Sequence, residues 1–165
     1  MDVGPVVIVD TREPEYRAFS LTRYGMTVIR DACSSGDYIF FPHGMRIAIE
    51  LKTASDLLSS LTTDRMITQA HKLIDENNAA ILLIEGKYEP MIGGMTRVEQ
   101  KEGGWYETRW AWDSVQGMLL DLQWMGLILH RCAMSDAPRE IARIIESLSK
   151  DEHAWIRSRD RPHLI

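Results

Sequence analysis

The chain has 165 residues, 45% of them hydrophobic and 26% charged, a length and balance that suit one compact domain with a sizeable core. Its net charge of −5 counts against a broad, sequence-blind clamp on a nucleic-acid backbone and favours a narrow footprint, because backbone binding rests on local Lys and Arg. Two distant cysteines, Cys33 and Cys132, and five histidines without ligand spacing exclude a disulfide framework and a zinc site.

In chain order, Val6-Val7-Ile8-Val9 is a continuous β-branched run, the pattern of a strand buried on both faces, and it ends at Asp10. A helix is predicted over Glu15–Tyr24, opened by Pro14 and stopped by Gly25 as a left-handed cap. Met26–Arg30 reads as a second strand and Asp31–Gly36 as a polar loop. Tyr38–Phe41 and Met45–Leu51 flank Pro42-His43-Gly44 as a hairpin. Helices follow at Ser55–Ser60 and Asp64–Glu76, then a strand at Ala80–Glu85. After an irregular insert come a helix at Trp110–Met125, a strand at Leu127–His130 and a helix at Pro138–Ser149. Strands alternating with helices predict a mixed sheet covered on both sides, one domain over residues 1–150 with an insert at 87–109. The tail Asp151–Ile165 is expected to be loosely ordered. No signal-peptide pattern and no bilayer-spanning apolar run are present, so a soluble intracellular protein is expected.

The chemistry concentrates between Gly36 and Asp56. Asp37 ends a polar turn, and Glu50 and Lys52 end an apolar strand, on one face of it with Leu51 opposite. Two carboxylates and an ammonium converging on one spot suit a hard cation and attack of water on a phosphodiester. Most isolated E-x-K triplets on strands are solvated ion pairs, so the surroundings decide. Asp10 lies just past the carboxyl end of a buried strand, where open α/β sheets place ligands, and it also suits a helix cap.

Taken together, Val9-Asp10-Thr11-Arg12-Glu13, Gly36-Asp37, Glu50-Leu51-Lys52 and Asp56-Leu57 resemble the XPF-type (ERCC4-family) nuclease domain of the restriction-endonuclease-like superfamily. That family carries V-D-x-R-E, G-D and E-R-K-x-x-x-D in this order. The resemblance continues through Arg65 and Gln69, where the family has an R-x-x-x-Q helix, and covers nearly the whole chain. One departure is Leu51, which stands where the family has Arg and leaves the acids and the Lys intact.

The resemblance implies a restriction-endonuclease-like mixed β-sheet flanked by helices and a metal-dependent endonuclease acting on branched, flapped or junction DNA. Asp37 and Glu50, helped by the Leu51 carbonyl, would bind Mg²⁺, with Mn²⁺ as a substitute. Lys52 would orient or deprotonate the attacking water, or stabilise developing charge. Asp10 and Glu13 would complete the acidic cluster, binding a second metal or holding Arg12 and Lys52. Arg12, Arg65, Gln69 and Lys72 would contact DNA; the last three share one face of the Asp64–Glu76 helix, whose apolar stripe is Met66, Ile67, Ala70, Leu73 and Ile74. An intracellular, DNA-associated location, an accessory DNA-binding protein and a homodimer would follow. The dimer expectation also rests on the Trp110–Met125 segment, where Met118, Trp124 and Met125 extend beyond the stripe of Trp112, Val115, Leu119 and Leu122.

Two other readings remain open. One is a Holliday-junction resolvase or exonuclease of the same superfamily; the other is a non-catalytic, dimerising scaffold subunit. Scaffold partners lose the acids and the Lys, which are all present here. In the insert, Thr96–Gln100 and Trp105–Arg109 are predicted to pair as a hairpin beyond a Gly93-Gly94 hinge. Its Arg97, Trp105, Tyr106 and Arg109 suit base stacking as well as they suit packing.

Overall fold

The β-branched run at the amino terminus becomes β1 (Val6–Asp10), with Val7 and Val9 fully buried. The computed structural model describes residues 4–61 and 63–151; the expected loose tail lies, apart from Asp151, outside them. After β1 come α1 (Glu15–Arg23), β2 (Thr27–Asp31), β3 (Tyr38–Phe40), β4 (Ile47–Thr53), α2 (Ala54–Leu61) and α3 (Arg65–Glu76). Then follow β5 (Ala79–Glu85), β6 (Tyr88–Pro90), β7 (Met95–Glu99), β8 (Trp105–Ala111), α4 (Trp112–Trp124), β9 (Ile128–Cys132) and α5 (Ala137–Ser149).

Six strands form one mixed sheet in the order β2-β1-β3-β4-β5-β9. β1 runs parallel to β2 and antiparallel to β3, while β4 runs antiparallel to β3 and parallel to β5. Side chains alternate across this sheet and divide the core in two. Ile39, Ala48, Leu82 and Ile84 pack under α2, α3 and α4. Val7, Val9, Tyr38, Ile49, Leu51 and Leu83 pack under α1 and α5. The expected mixed sheet flanked by helices is what the chain forms.

The insert is larger than a hairpin. β6, β7 and β8 make a separate antiparallel sheet, with Tyr88 paired to Val98 and Val98 to Tyr106. Trp110, expected to open a helix, belongs to β8, because the Trp105–Ala111 backbone continues to pair with β7 up to Met95. Gly93 and Gly94 form the turn between β6 and β7, both with positive φ. Among the described residues no helix is long and apolar enough to cross a membrane.

Candidate active site

Asp37 is held by the backbone of two strands. Its amide donates to the Ile49 carbonyl at 2.9 Å, its carbonyl accepts from the Asp10 amide at 2.8 Å, and its carboxylate accepts from the Leu51 amide at 2.8 Å. The turn before it requires Gly36, whose φ is +78° and where a Cβ would lie 3.0 Å from the Ala48 side chain. The Gly-Asp pair is therefore a steric necessity as well as a chemical motif. The Leu51 side chain points into the opposite core, so at this position it is the backbone N–H that serves the site.

Glu50 and Lys52 lie on the α2/α3 face of β4, alternating with the buried Ile49 and Leu51. The Lys52 ammonium is 3.3 Å from the Glu50 carboxylate, and both side chains are only 11% exposed. Burial first, and the Glu50 charge second, push the Asp37 carboxyl up to about 7; the Leu51 amide and Lys52 oppose this only in part. Two acids and one ammonium thus share a low-dielectric corner with an excess of negative charge.

Asp10 adjoins this corner but is occupied. Its carboxylate accepts from the Arg12 amide at 2.7 Å, from the Arg12 side chain twice at 2.8 Å, and from the Cys33 amide at 2.9 Å. The Arg12 guanidinium, chiefly, holds the Asp10 carboxyl well below the usual carboxylate range. Three-quarters of the Arg12 side chain is solvent-exposed, so its outer face is open to an anion. Among the described residues no three acidic, histidine or cysteine side chains converge into an all-protein metal cage.

Glu13 borders this corner, and its charge adds to the push on Asp37. The Glu13 carboxylate accepts from the Tyr38 hydroxyl at 2.6 Å and from Arg17 at 2.9 Å, on the α1/α5 side of the sheet. Arg17 also reaches Glu85 at 3.4 Å, and Glu85 accepts from the Ala137 amide at the start of α5 at 3.4 Å. Sequence reasoning missed this network. Its one visible signal was Glu85, a carboxylate ending a buried strand as Asp10 ends β1.

Arg65, Gln69 and Lys72 stand on α3, the helix that covers the face bearing Glu50. Arg65 is exposed, and Lys72 lies 3.9 Å from Glu76 on the helix surface. The Gln69 side-chain oxygen is buried without a hydrogen-bond partner among the described residues, a state that native interiors seldom keep without use. None of the three makes a hydrogen bond or ion pair with the acids in this conformation. Arg30 is a second omission of the sequence reading: it donates to the Thr11 and Glu13 carbonyls and so shapes the turn that carries Arg12.

Residues 9–148, which include all of these positions, match the family model described as the ERCC4 domain. A stretch of 81 residues, 48% of this chain, is 41% identical to the DNA repair protein RAD1 of Saccharomyces cerevisiae, of which it spans 7%. The solved structure of XPF from Aeropyrum pernix is similar with a TM-score of 0.65 at 27% identity, over 88% of this chain and 63% of that one. The structure of XPF from Aeropyrum pernix in complex with DNA is similar over the same shares, with a TM-score of 0.63 at 27% identity. The chain spans less than two thirds of either relative.

Proposed function

This chain belongs to the ERCC4 domain family, with the fold of an XPF-type nuclease domain, and we propose that it is a metal-dependent endonuclease hydrolysing phosphodiester bonds in branched, flapped or junction DNA. The observation that carries this reading is the buried Asp37–Glu50 pair beside Lys52, where burial first and the Glu50 charge second push Asp37 up to about 7. Such a pair is short of positive charge. Mg²⁺ sites at phosphate chemistry use one or two carboxylates and leave the other positions to water and substrate, so this donor set fits without an all-protein cage.

Asp37, Glu50 and the Leu51 carbonyl would hold the ion, which supplies charge neutralisation and a more acidic water to phosphodiester hydrolysis. Lys52, fixed by Glu50, donates hydrogen bonds where negative charge develops on the phosphoryl oxygens or to the incoming water. Of the two roles open to Asp10, its contacts favour holding Arg12, whose exposed guanidinium suits a flanking phosphate. The names of the relatives, a DNA repair protein and an XPF in complex with DNA, support DNA as the substrate.

The test is cleavage of labelled flap, fork, four-way junction, single-strand and duplex substrates with Mg²⁺, Mn²⁺ or EDTA. Cutting of a branched substrate that EDTA abolishes is expected. No cutting of any substrate in either metal would reject the enzyme and leave the scaffold reading.

We further propose that the chain pairs with a second copy. Leu120 and Trp124 are 61% and 77% exposed on α4, and Ile128 is 51% exposed on the edge strand β9. Leu122, in contrast, is fully buried and Met118 packs on the core, so neither is the place to probe pairing. Trp124→Glu should halve the mass seen by light scattering, since a two-fold interface is struck twice. A monomeric wild type at micromolar concentration would reject pairing.

A further inference from the structure

We propose that the cleft between α2 and β8 is a binding groove for single-stranded DNA, distinct from the acidic corner. This inference rests on DNA being the substrate. α2 begins at Ala54, directly after the strand that carries Lys52, so the groove leads away from the acids along the same face. It encloses about 280 Å³ and is lined by Ser55 of α2 and by Tyr106, Thr108, Arg109 and Trp110 of β8, over a floor of Leu58 and Val98. That volume falls below the roughly 300–1,000 Å³ of most small-molecule pockets. A groove of this size admits splayed bases or one strand, not a duplex.

Charge and chemistry select the occupant. The chain carries a net −5, yet among the described residues Arg109 is the only charged one lining the groove, and it makes no hydrogen bond or ion pair with any of them. Ser55 places a hydroxyl in the lining, the Thr108 hydroxyl being engaged by the Thr96 carbonyl and the Trp110 amide, and Tyr106, 55% exposed, offers a ring to stack on. Trp105 and the Arg97 above its ring stand on the other face of this sheet, where Arg97 pairs with Glu89, so Tyr106 and Arg109 are the aromatic and the cation of the groove. Aromatic faces with one or two cations are what sequence-tolerant single-strand binding requires. An apolar peptide would have little use for an unpaired Arg and a hydroxyl in the same groove.

The experiment is fluorescence anisotropy of the full chain with a labelled 12-nucleotide thymidine strand and with a duplex, Ca²⁺ replacing Mg²⁺ to prevent turnover. Tyr106→Ala should weaken single-strand binding about tenfold while Tyr106→Phe keeps it, and duplex binding should change little in both. Arg109→Ala should reduce the salt dependence of single-strand binding by a slope of about 0.7. Ser55→Trp, on the exposed start of α2, should block the groove from the other wall and reproduce the loss without touching β8. Melting by circular dichroism checks that each variant is folded. Single-strand affinity within twofold of wild type in Tyr106→Ala/Arg109→Ala and in Ser55→Trp, or no single-strand binding by the wild type, would overturn the proposal and leave the cleft to a protein partner. A wild type that cuts nothing while these variants lose single-strand binding keeps the groove and rejects the nuclease. Cutting by a wild type whose groove variants bind normally does the reverse.

Discussion

Two groups of buried acids lie on opposite faces of the same sheet, and they are finished differently. Under α1 and α5, Glu13 and Glu85 share Arg17, Glu13 takes the Tyr38 hydroxyl and Glu85 takes the amino-terminal amide of α5. Under α2 and α3, Asp37 and Glu50 share one backbone amide and one ammonium, and Asp37 is driven up to about 7. Both groups set two acids against one cation, but the first also has a phenol and a helix amide as donors and behaves as a tie between α1, β3, β5 and α5. The second has fewer donors for its leftover negative charge and a strongly raised Asp37, which folding alone does not call for. Satisfied acids hold the molecule together; unsatisfied ones await a partner.

The sharpest way to break this contrast is to neutralise each side. Asp37→Asn or Glu50→Gln should reduce cleavage by on the order of 10³-fold, the loss of several kcal/mol of transition-state stabilisation, with the fold retained. Single-turnover rates near wild type in Mg²⁺ would show that these acids are structural after all. Lys52→Ala should cost roughly 10²–10³-fold in rate while Ca²⁺-supported DNA binding persists. If affinity falls together with rate, Lys52 is instead a ground-state phosphate contact.

On the opposite face the expected damage is to stability. Arg17→Met strands two buried carboxylates and should destabilise by about 3–5 kcal/mol, read from urea unfolding. Glu13→Gln should keep cleavage by the folded protein. Cutting lost without a change in melting would return Glu13 to the active corner.

The remaining effects are protonic. Asp37 titrates near 3.8 when unfolded and near 7 when folded, so the folded state holds the extra proton between them. Its contribution to stability is full below about pH 4 and is lost as pH rises towards 7. Asp37→Asn should flatten that fall in metal-free buffer; an unchanged profile would mean that Asp37 is not perturbed. Metal binding must expel the same proton, so Mn²⁺ affinity should weaken below pH 7, and calorimetry in two buffers of different ionisation enthalpy should register proton release.

The sheet and most helices were legible because their patterns are periodic. Val6–Val9 and Ala79–Glu85 are continuous apolar runs, although in the first only Val7 and Val9 are buried and Val6 is exposed, and the E-x-K alternation puts Glu50 and Lys52 on one face. β6 was not legible, since Tyr88-Glu89-Pro90 is too short to show alternation and carries a proline, tolerated because it lies on an edge strand. Trp110 was given to the following helix because an aromatic suits either element, and only its pairing partners decide. Glu13, placed in the acidic cluster by its motif, does act on Asp37 through its charge, but its hydrogen bonds to Tyr38 and Arg17 had no signal in the sequence. The Arg17–Glu85 tie joins residues 68 apart and has no local signature.

The strand order also sets a timetable. All the corner's acids and its lysine lie within the first 52 residues, and β1, β3 and β4 alone align them. The low-dielectric cover comes from later chain: β5, which lines the other edge of β4, ends at Glu85, and α3 is made just before it. A nascent chain that has released only its first 60 residues therefore carries the right groups in water, where Asp37 titrates as an ordinary acid. The raised Asp37 is born with β5, so synthesis of the cover, not of the acidic motif, decides when the corner is complete.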